Sequence, residues 1–165
     1  MTAADAEPSA QAQALAAAWV AELRAARISA GWSQQDVATA LGVRKATVVE
    51  WETGRHLAAW RNLVAAGREI GVRLVVVGRD GRVRDELVEA VAGEPWARGE
   101  LRRLGATLRV ERGAAGLTRA ALAADMGVSE WSFAHFERGQ LYPRLAVLGA
   151  WVGALKCDIR WQPVV

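Results

Sequence analysis

The 165-residue sequence is poor in cysteine and lysine, with one cysteine (Cys157) and two lysines (Lys45 and Lys156). A single cysteine excludes both an internal disulfide framework and a four-cysteine zinc site, and it fits a reducing compartment. The longest apolar run, residues 14–21, is far shorter than the roughly 20 residues that span a bilayer. Asp5 and Glu7 stand where a secretory signal carries positive charge. We therefore expect a soluble, cytoplasmic protein with no membrane partner.

The overall composition is that of a globular protein, with 52% hydrophobic and 24% charged residues. The net charge is only +3, although the pI is about 9.7. Such a balance permits nucleic-acid binding without requiring it. The abundance of arginine, alanine, glycine and valine indicates GC-rich coding and a bacterial origin. Eight tryptophans are many for this length, and we expect most of them in the core.

Two segments of the sequence match each other at a spacing of 85 residues. Gly42 and Val43 match Gly127 and Val128 at this spacing, and no gap is needed. The same spacing joins the pairs Leu23/Leu108, Arg24/Arg109, Arg27/Arg112, Gly31/Gly116, Ala38/Ala123, Trp51/Phe136, Glu52/Glu137, Gly54/Gly139 and Leu63/Leu148. Self-similarity at one fixed spacing is the signature of an internal repeat. The sequence therefore predicts two copies of one fold, as domains at residues 1–84 and 85–165.

Each copy has the pattern of several helices followed by one strand. In the first copy the apolar spacing predicts helices over residues 11–29, 34–41, 45–52 and 58–70, and a strand over residues 73–77. Ser33 is a good N-cap with Asp36 three residues later, and Gly42 suits a left-handed C-terminal cap. The second copy repeats the plan and ends in a strand over residues 158–162. We predict one more short helix, at residues 86–92, in the connection between the copies.

Two short helices joined by a glycine-containing turn are typical of a helix-turn-helix unit. The segments at residues 32–43 and 47–54, and again at 117–128 and 132–139, resemble the lambda-repressor-like (xenobiotic-response-element) helix-turn-helix family. The resemblance extends over residues 15–72 and 100–157. It implies a mainly α fold and a double-stranded DNA partner, and repression is the commoner activity in that family.

An arginine and a glutamate stand 25 residues apart in both copies, as Arg27 with Glu52 and Arg112 with Glu137. We interpret each as an ion pair that joins the first helix of the copy to the end of its recognition helix, which is the second helix of the helix-turn-helix unit. The family resemblance implies such a pair. These residues are therefore expected to be structural.

In the first copy the resemblance places Lys45, Ala46 and Glu50 against DNA bases. Lysine donates to guanine, glutamate accepts from cytosine, and alanine can touch a thymine methyl group. By the same resemblance, a second set of side chains contacts phosphates: Gln34, Arg44, Thr47 and Arg55. The alternative is that all these residues are ordinary solvated surface.

The second copy departs from the family pattern. Arg119 replaces the family glutamine, and it can still hold a phosphate. The complete set of DNA contacts predicted here is Arg119, Ser129, Glu130, Trp131, Ser132, His135 and Arg138. An acidic residue followed by an indole makes a poor general DNA surface, although Trp131 can contact thymine methyls. The alternative is that Trp131 packs against the protein or a partner.

A lone strand leaves backbone groups unpaired, so the two predicted strands need partners. We predict that they pair with each other in one chain and form a small two-stranded β element. The protein is then a pseudo-two-fold dimer that reads two unlike half-sites in adjacent major grooves. The alternative is pairing between chains, which gives a homodimer with four helix-turn-helix units.

The sequence does not indicate an enzyme, since it shows no convincing nucleophile–base arrangement and no glycine-rich phosphate loop after a strand. We expect no cofactor, and no metal site at His56, His135 or Cys157. A rival function is an antitoxin-like or adaptor protein, in which the second domain contacts a toxin or another protein.

Overall fold

The computed structural model describes residues 7–164 of the chain, which form eight helices and three strands. In chain order these are α1 (Ala10–Ser29), α2 (Gln34–Leu41), α3 (Lys45–Glu52), α4 (Trp60–Ile70), β1 (Val72–Val77), β2 (Val83–Arg84), α5 (Trp96–Ala114), α6 (Arg119–Met126), α7 (Glu130–Glu137), α8 (Leu145–Ala154) and β3 (Asp158–Pro163). The helices α2 and α3 correspond to α6 and α7 at the spacing of 85, residue for residue. The predicted repeat is therefore confirmed as a repeat of structure.

The short helices begin and end at the predicted caps. The Ser33 hydroxyl accepts from the Asp36 amide at 3.0 Å, and the Asp36 carboxylate accepts from the Ser33 amide at 2.7 Å. This capping box lowers the pKa of Asp36, chiefly through the bond from the Ser33 amide. Thr118 caps α6 in the same way, without the acidic partner. Gly42 and Gly127 end α2 and α6 with φ of 67° and 69°, which glycine adopts most easily.

The strands β1 and β3 pair with each other inside one chain, as predicted. They run antiparallel, and Val75 lies opposite Arg160. These two residues are 85 positions apart, so each is the repeat equivalent of the other. A local two-fold axis therefore passes through the Val75–Arg160 pair.

The sheet has three strands in the order β2-β1-β3, so the prediction of a two-stranded element was wrong by one strand. The chain turns back after β1, where the Gly78 amide donates to the Arg82 carbonyl at 2.9 Å. This turn brings Val83 opposite Val77. The two-residue strand β2 is too short to leave an alternating pattern in the sequence.

The helix predicted at residues 86–92 is absent, and this segment has an irregular conformation. Its polar backbone groups bond to α5 instead, since the Glu86 amide donates to the Thr107 hydroxyl at 3.0 Å. Arg102 donates to the Glu89 carbonyl at 2.8 Å. Leu87 is 98% exposed and Val91 is 56% exposed, so this segment buries little of the apolar surface that stabilises a short helix.

The first helix of each copy packs on the last helix of the other copy. The longest helix–helix interface joins α1 to α8, and its repeat equivalent joins α5 to α4. The backbones approach closely in the first of these, because a Cβ atom at Gly149 would overlap the Ala12 carbonyl. The two copies are therefore interlocked through their helices as well as through the sheet.

One continuous hydrophobic core contains residues of both copies. Trp19, Trp60 and Trp151 are fully buried, and Phe133 meets Trp151 edge to face with ring centroids 5.3 Å apart. Three more tryptophans lie at the border of this core: Trp32, Trp51 and Trp161. Most tryptophans are thus core residues, as expected. The domain boundary at residue 84 stays a prediction. Within residues 7–164, every helix is too short or too polar to cross a membrane.

Candidate nucleic-acid interface

Two helix-turn-helix units are built in the same way in the two copies. In the first, the Val43 amide donates to the Ala38 carbonyl at 3.0 Å and closes the turn between α2 and α3. In the second, the Val128 amide bonds to Ala123 at 3.1 Å. Ala38 is fully buried, and its small side chain allows the two helices to approach closely. The inner faces of α3 and α7 are thus fixed by packing, and their outer faces are left for a ligand.

The predicted ion pairs are confirmed in both copies. Arg27 bonds Glu52 through two nitrogens at 2.6 and 2.9 Å, and Arg112 bonds Glu137 at 2.9 and 3.0 Å. The remaining guanidinium nitrogen of Arg27 donates to the Trp32 carbonyl at 2.7 Å. Each arginine therefore joins three elements: the first helix, the loop after it and the end of the recognition helix.

The first residues of α2 and α6, Gln34 and Arg119, each bond to the glutamate of that ion pair. The Gln34 amide donates to Glu52 at 2.8 Å, and Arg119 Nε donates to Glu137 at 3.1 Å. These two bonds were not predicted, although the spacing of 18 residues from each glutamate recurs in both copies. The bonds fix both side chains at the helix start, and Arg119 still has its two terminal nitrogens for another acceptor. Their predicted contact with phosphate stays a prediction.

Of the seven residues predicted to contact DNA in the first copy, five lie at the beginning of α3 or within it. Arg44, Lys45 and Ala46 are exposed at its beginning, and Thr47 and Glu50 are half-buried within it. No side chain caps the N-terminus of α3, and the Thr47 amide donates to the Arg44 carbonyl at 3.0 Å, which leaves the Lys45 and Ala46 amides to donate to a ligand. Such amides favour a phosphate group. Of the other two, Arg55 is exposed beyond the helix and Gln34 is the first residue of α2.

The beginning of α7 differs, because its serines bond to each other. The Ser129 hydroxyl accepts from the Ser132 amide at 3.0 Å and donates to the Ser132 hydroxyl at 2.9 Å. Both hydroxyls are thus engaged in the cap. Glu130 is exposed in the first turn, and Arg138 is exposed just after the helix.

The most exposed tryptophan of the described residues, Trp131, lies on α7. Its side chain is 66% exposed and lies against His135, with ring centroids 3.8 Å apart and planes inclined by 31°. His135 Nδ1 is 2.7 Å from the Trp131 carbonyl. Because a carbonyl can only accept, Nδ1 carries the hydrogen of the neutral ring. Trp131 is therefore a surface residue of this chain, held in place by its neighbour.

The two recognition helices are anchored differently on the first helices of their copies. A Cβ atom at Gly105 of α5 would overlap the Glu137 carbonyl, and one at Gly139 would lie 2.8 Å from the Arg102 Cα atom. The end of α7 therefore rests directly on the backbone of α5. In the first copy the position of Gly105 is occupied by Val20, which is buried, and α3 contacts α1 less extensively.

Within residues 7–164, no three metal-ligating side chains lie together. His56 and His135 belong to the surface of the helix-turn-helix units, and Cys157 is buried where α8 meets β3.

Two comparisons with protein-family models agree with this geometry. A model described as "Helix-turn-helix" matches residues 23–75, and one described as "Helix-turn-helix domain" matches residues 103–159. Each match contains the short helix pair of one copy and the helix that follows it, and together the two matches extend over about two thirds of the chain. No curated protein and no solved structure matches the chain.

Proposed function

Because the chain belongs to the helix-turn-helix DNA-binding regulators, with two lambda-repressor-like domains in tandem, we propose that one molecule represses transcription by occupying an operator with both recognition helices. The proposed domains are residues 1–84 and 85–165. The proposed site of action is the nucleoid in the bacterial cytoplasm, and no cofactor is required.

The observation that carries this proposal is the local two-fold axis at the Val75–Arg160 pair. Symmetric helix-turn-helix dimers place two recognition helices about 34 Å apart, one turn of DNA, and so bind two half-sites on one face of the duplex. The interlocked packing of α1 on α8 and of α4 on α5 gives this chain the same plan without a second subunit. We therefore infer that α3 and α7 enter successive major grooves.

The half-sites are unlike, because the outward residues of the two recognition helices differ. In the first, Lys45 donates to guanine acceptors and Glu50 accepts from a base amine. Ala46 lies between them and contacts a thymine methyl. Phosphate contacts by Gln34, Arg44, Thr47 and Arg55 hold α3 in register. In the second, phosphates are held by Arg119, Arg138 and the Ser132 hydroxyl, which the bond from Ser129 positions, and bases are read by Glu130, Trp131 and His135.

A second candidate function is contact with a protein, as in an antitoxin or an adaptor. The exposed Trp131 favours it, since exposed aromatic residues are enriched where proteins bind proteins. This function would use the second copy and leave α3 free for DNA.

Fluorescence anisotropy with the protein's own promoter fragment and a scrambled duplex, over a series of salt concentrations, tests the proposal. We expect tighter binding to the promoter, and binding to both duplexes should weaken steeply with salt because bound phosphates release counterions. Equal affinity for the two duplexes, or affinity that does not change with salt, contradicts the proposed function.

The double substitution Lys45→Ala with Glu50→Ala should abolish the preference for the first half-site and leave the thermal unfolding midpoint unchanged. A good base contact is worth about 1–3 kcal/mol, so we expect at least a tenfold loss of preference. The matched control is Arg61→Ala with Glu69→Ala, which removes one charge of each sign from exposed positions of α4. If the two double variants discriminate equally well, α3 does not read the bases.

A further inference from the structure

We propose that the two unlike half-sites share one base contact, to an amine, and differ in a second, to a methyl group. Both should carry an amino-bearing base, adenine or cytosine, opposite Glu50 and His135. Only the second should depend strongly on a 5-methyl group, that of a thymine opposite Trp131. This inference rests on the proposed function and specifies which chemical groups of the DNA are read.

The shared requirement follows from the hydrogen on His135. Since Nδ1 donates to the Trp131 carbonyl at 2.7 Å, the lone pair of the neutral imidazole lies on Nε2. Nε2 is then an acceptor. The repeat equivalent of His135 is Glu50, whose carboxylate is also an acceptor when ionised. The two helices therefore present the same hydrogen-bonding character at the same position, despite their different residues.

Only two base groups in the major groove donate hydrogen bonds, namely the N6 amine of adenine and the N4 amine of cytosine. Every base pair contains one of these two bases, so an acceptor that is held at a recognition helix selects the strand on which that base lies. Guanine and thymine present only acceptors at that position in the groove and would be disfavoured by both Glu50 and His135.

The difference between the half-sites follows from Trp131 and its repeat equivalent Ala46. Residues four apart on a helix are neighbours on one face, so Trp131 and His135 meet adjacent base pairs. The indole is 66% exposed and lies against the imidazole, with ring centroids 3.8 Å apart. A large apolar ring held at a base edge favours the 5-methyl group of thymine. Ala46 offers a single methyl group and covers far less of that surface.

Base analogues that remove one group at a time test both parts, after footprinting has located the half-sites. Replacing each thymine by uracil deletes only the methyl group. Replacing adenine by purine, or cytosine by pyrimidin-2-one, deletes the amine together with one hydrogen bond of the base pair, so each loss is compared with the loss shown by the variant that lacks the acceptor. With the wild-type protein we expect about a fourfold loss of affinity at one thymine of the second half-site, the effect of one buried methyl group. Removal of the amine should cost roughly tenfold in each half-site, because an acceptor loses its donor.

Two variants assign these losses to residues. Trp131→Ala should remove the sensitivity to uracil in the second half-site only. His135→Phe keeps an aromatic ring beside Trp131 and lacks the acceptor, so it should remove the sensitivity to the amine and keep the sensitivity to uracil. Glu50→Ala is the matched variant for the first half-site, and it should leave both sensitivities of the second half-site intact.

The possible failures are distinguishable. Equal binding of the promoter and the scrambled duplex overturns the proposed function itself. Preferential binding of the promoter, with a second half-site that is insensitive to both analogues, overturns this inference alone and leaves Trp131 for contact with a protein. Analogue sensitivities that persist in Trp131→Ala and His135→Phe also overturn it, because other residues would then read these groups.

Discussion

The single thiol of the chain lies in surroundings that keep it protonated. Cys157 is buried, and its Sγ atom is 3.8 Å from a carboxylate oxygen of Glu111. Burial, and secondarily the negative charge of Glu111, raises the pKa of Cys157 to about 11 from 9.0. Because the thiolate is the nucleophilic form, this cysteine is inert in the folded protein.

The raised pKa predicts how stability changes in alkaline solution. The folded state holds the thiol proton more tightly than the unfolded state, so the stabilisation is complete below pH 9 and is lost as the pH rises towards 11. Urea unfolding at pH 8 and at pH 10.5 should therefore show a larger loss of stability for the wild-type protein than for Cys157→Ala. Equal losses for the two proteins would mean that the thiol titrates normally. As a second readout, a thiol reagent at pH 8 should label the native protein far more slowly than the unfolded chain.

At the scale of the elements, the position of α7 depends on a glycine of another helix. Gly105 lets the Glu137 carbonyl approach the backbone of α5, and the same glutamate, with its side chain fully buried, binds Arg112 and Arg119. The orientation of the second recognition helix is thus determined by backbone contact and two ion pairs together.

The substitution Gly105→Ala should move α7 and destabilise the protein. Its new methyl group would overlap the Glu137 carbonyl, and overpacking of this kind costs about 1–3 kcal/mol. Gly113→Ala is the matched control in the same helix, because the space around Gly113 is open. That change should stabilise the protein by about 0.5–1 kcal/mol, since alanine is the better helix former. Thermal unfolding of both variants gives the comparison, and a neutral Gly105→Ala would show that the contact is not tight.

How much of the fold the sequence predicts depends on how local each element is. The bounds of α2 follow from Ser33 and Gly42, whose capping bonds lie within the same short segment. The pairing of β1 with β3 follows from the repeat itself. The strand β2 and the irregular conformation of residues 86–92 depend on bonds to distant parts of the chain, such as that from Glu86 to Thr107, and these leave no periodic signal.

For the candidate site, residue type and spacing predicted which side chains lie on the outer faces of α3 and α7. They did not predict that Ser129 and Ser132 bond to each other, or that His135 donates to the Trp131 carbonyl. Hydroxyl and ring orientations depend on the nearest acceptor in three dimensions, and a residue list does not contain this information.

At the scale of the whole molecule, neither copy encloses its own core. The first helix of each copy is covered by the last helix of the other, and the two copies contribute to one hydrophobic cluster. Separating them would expose apolar faces that have no other cover within residues 7–164.

Two fragments cut at the predicted boundary, residues 1–84 and 85–165, should therefore be poorly folded alone. Mixed in equal amounts, they should regain the helical circular dichroism of the intact chain. A dimer of the second fragment alone would place Arg160 opposite Arg160, and like charges directly opposite are destabilising in a sheet. Full helicity and cooperative unfolding of each fragment as a separate monomer would instead show that the two domains fold independently.

The pair on the two-fold axis has a consequence for how such a molecule can change. In a dimer of identical subunits, the residue on the axis always meets itself, and every substitution occurs twice. Here a valine faces an arginine, a combination that no symmetric dimer can place on its axis. Each half can thus acquire changes without the other, and the molecule has a left and a right side. On an operator with unlike halves it would lie in one direction only, so that a neighbour at either end would always meet the same half.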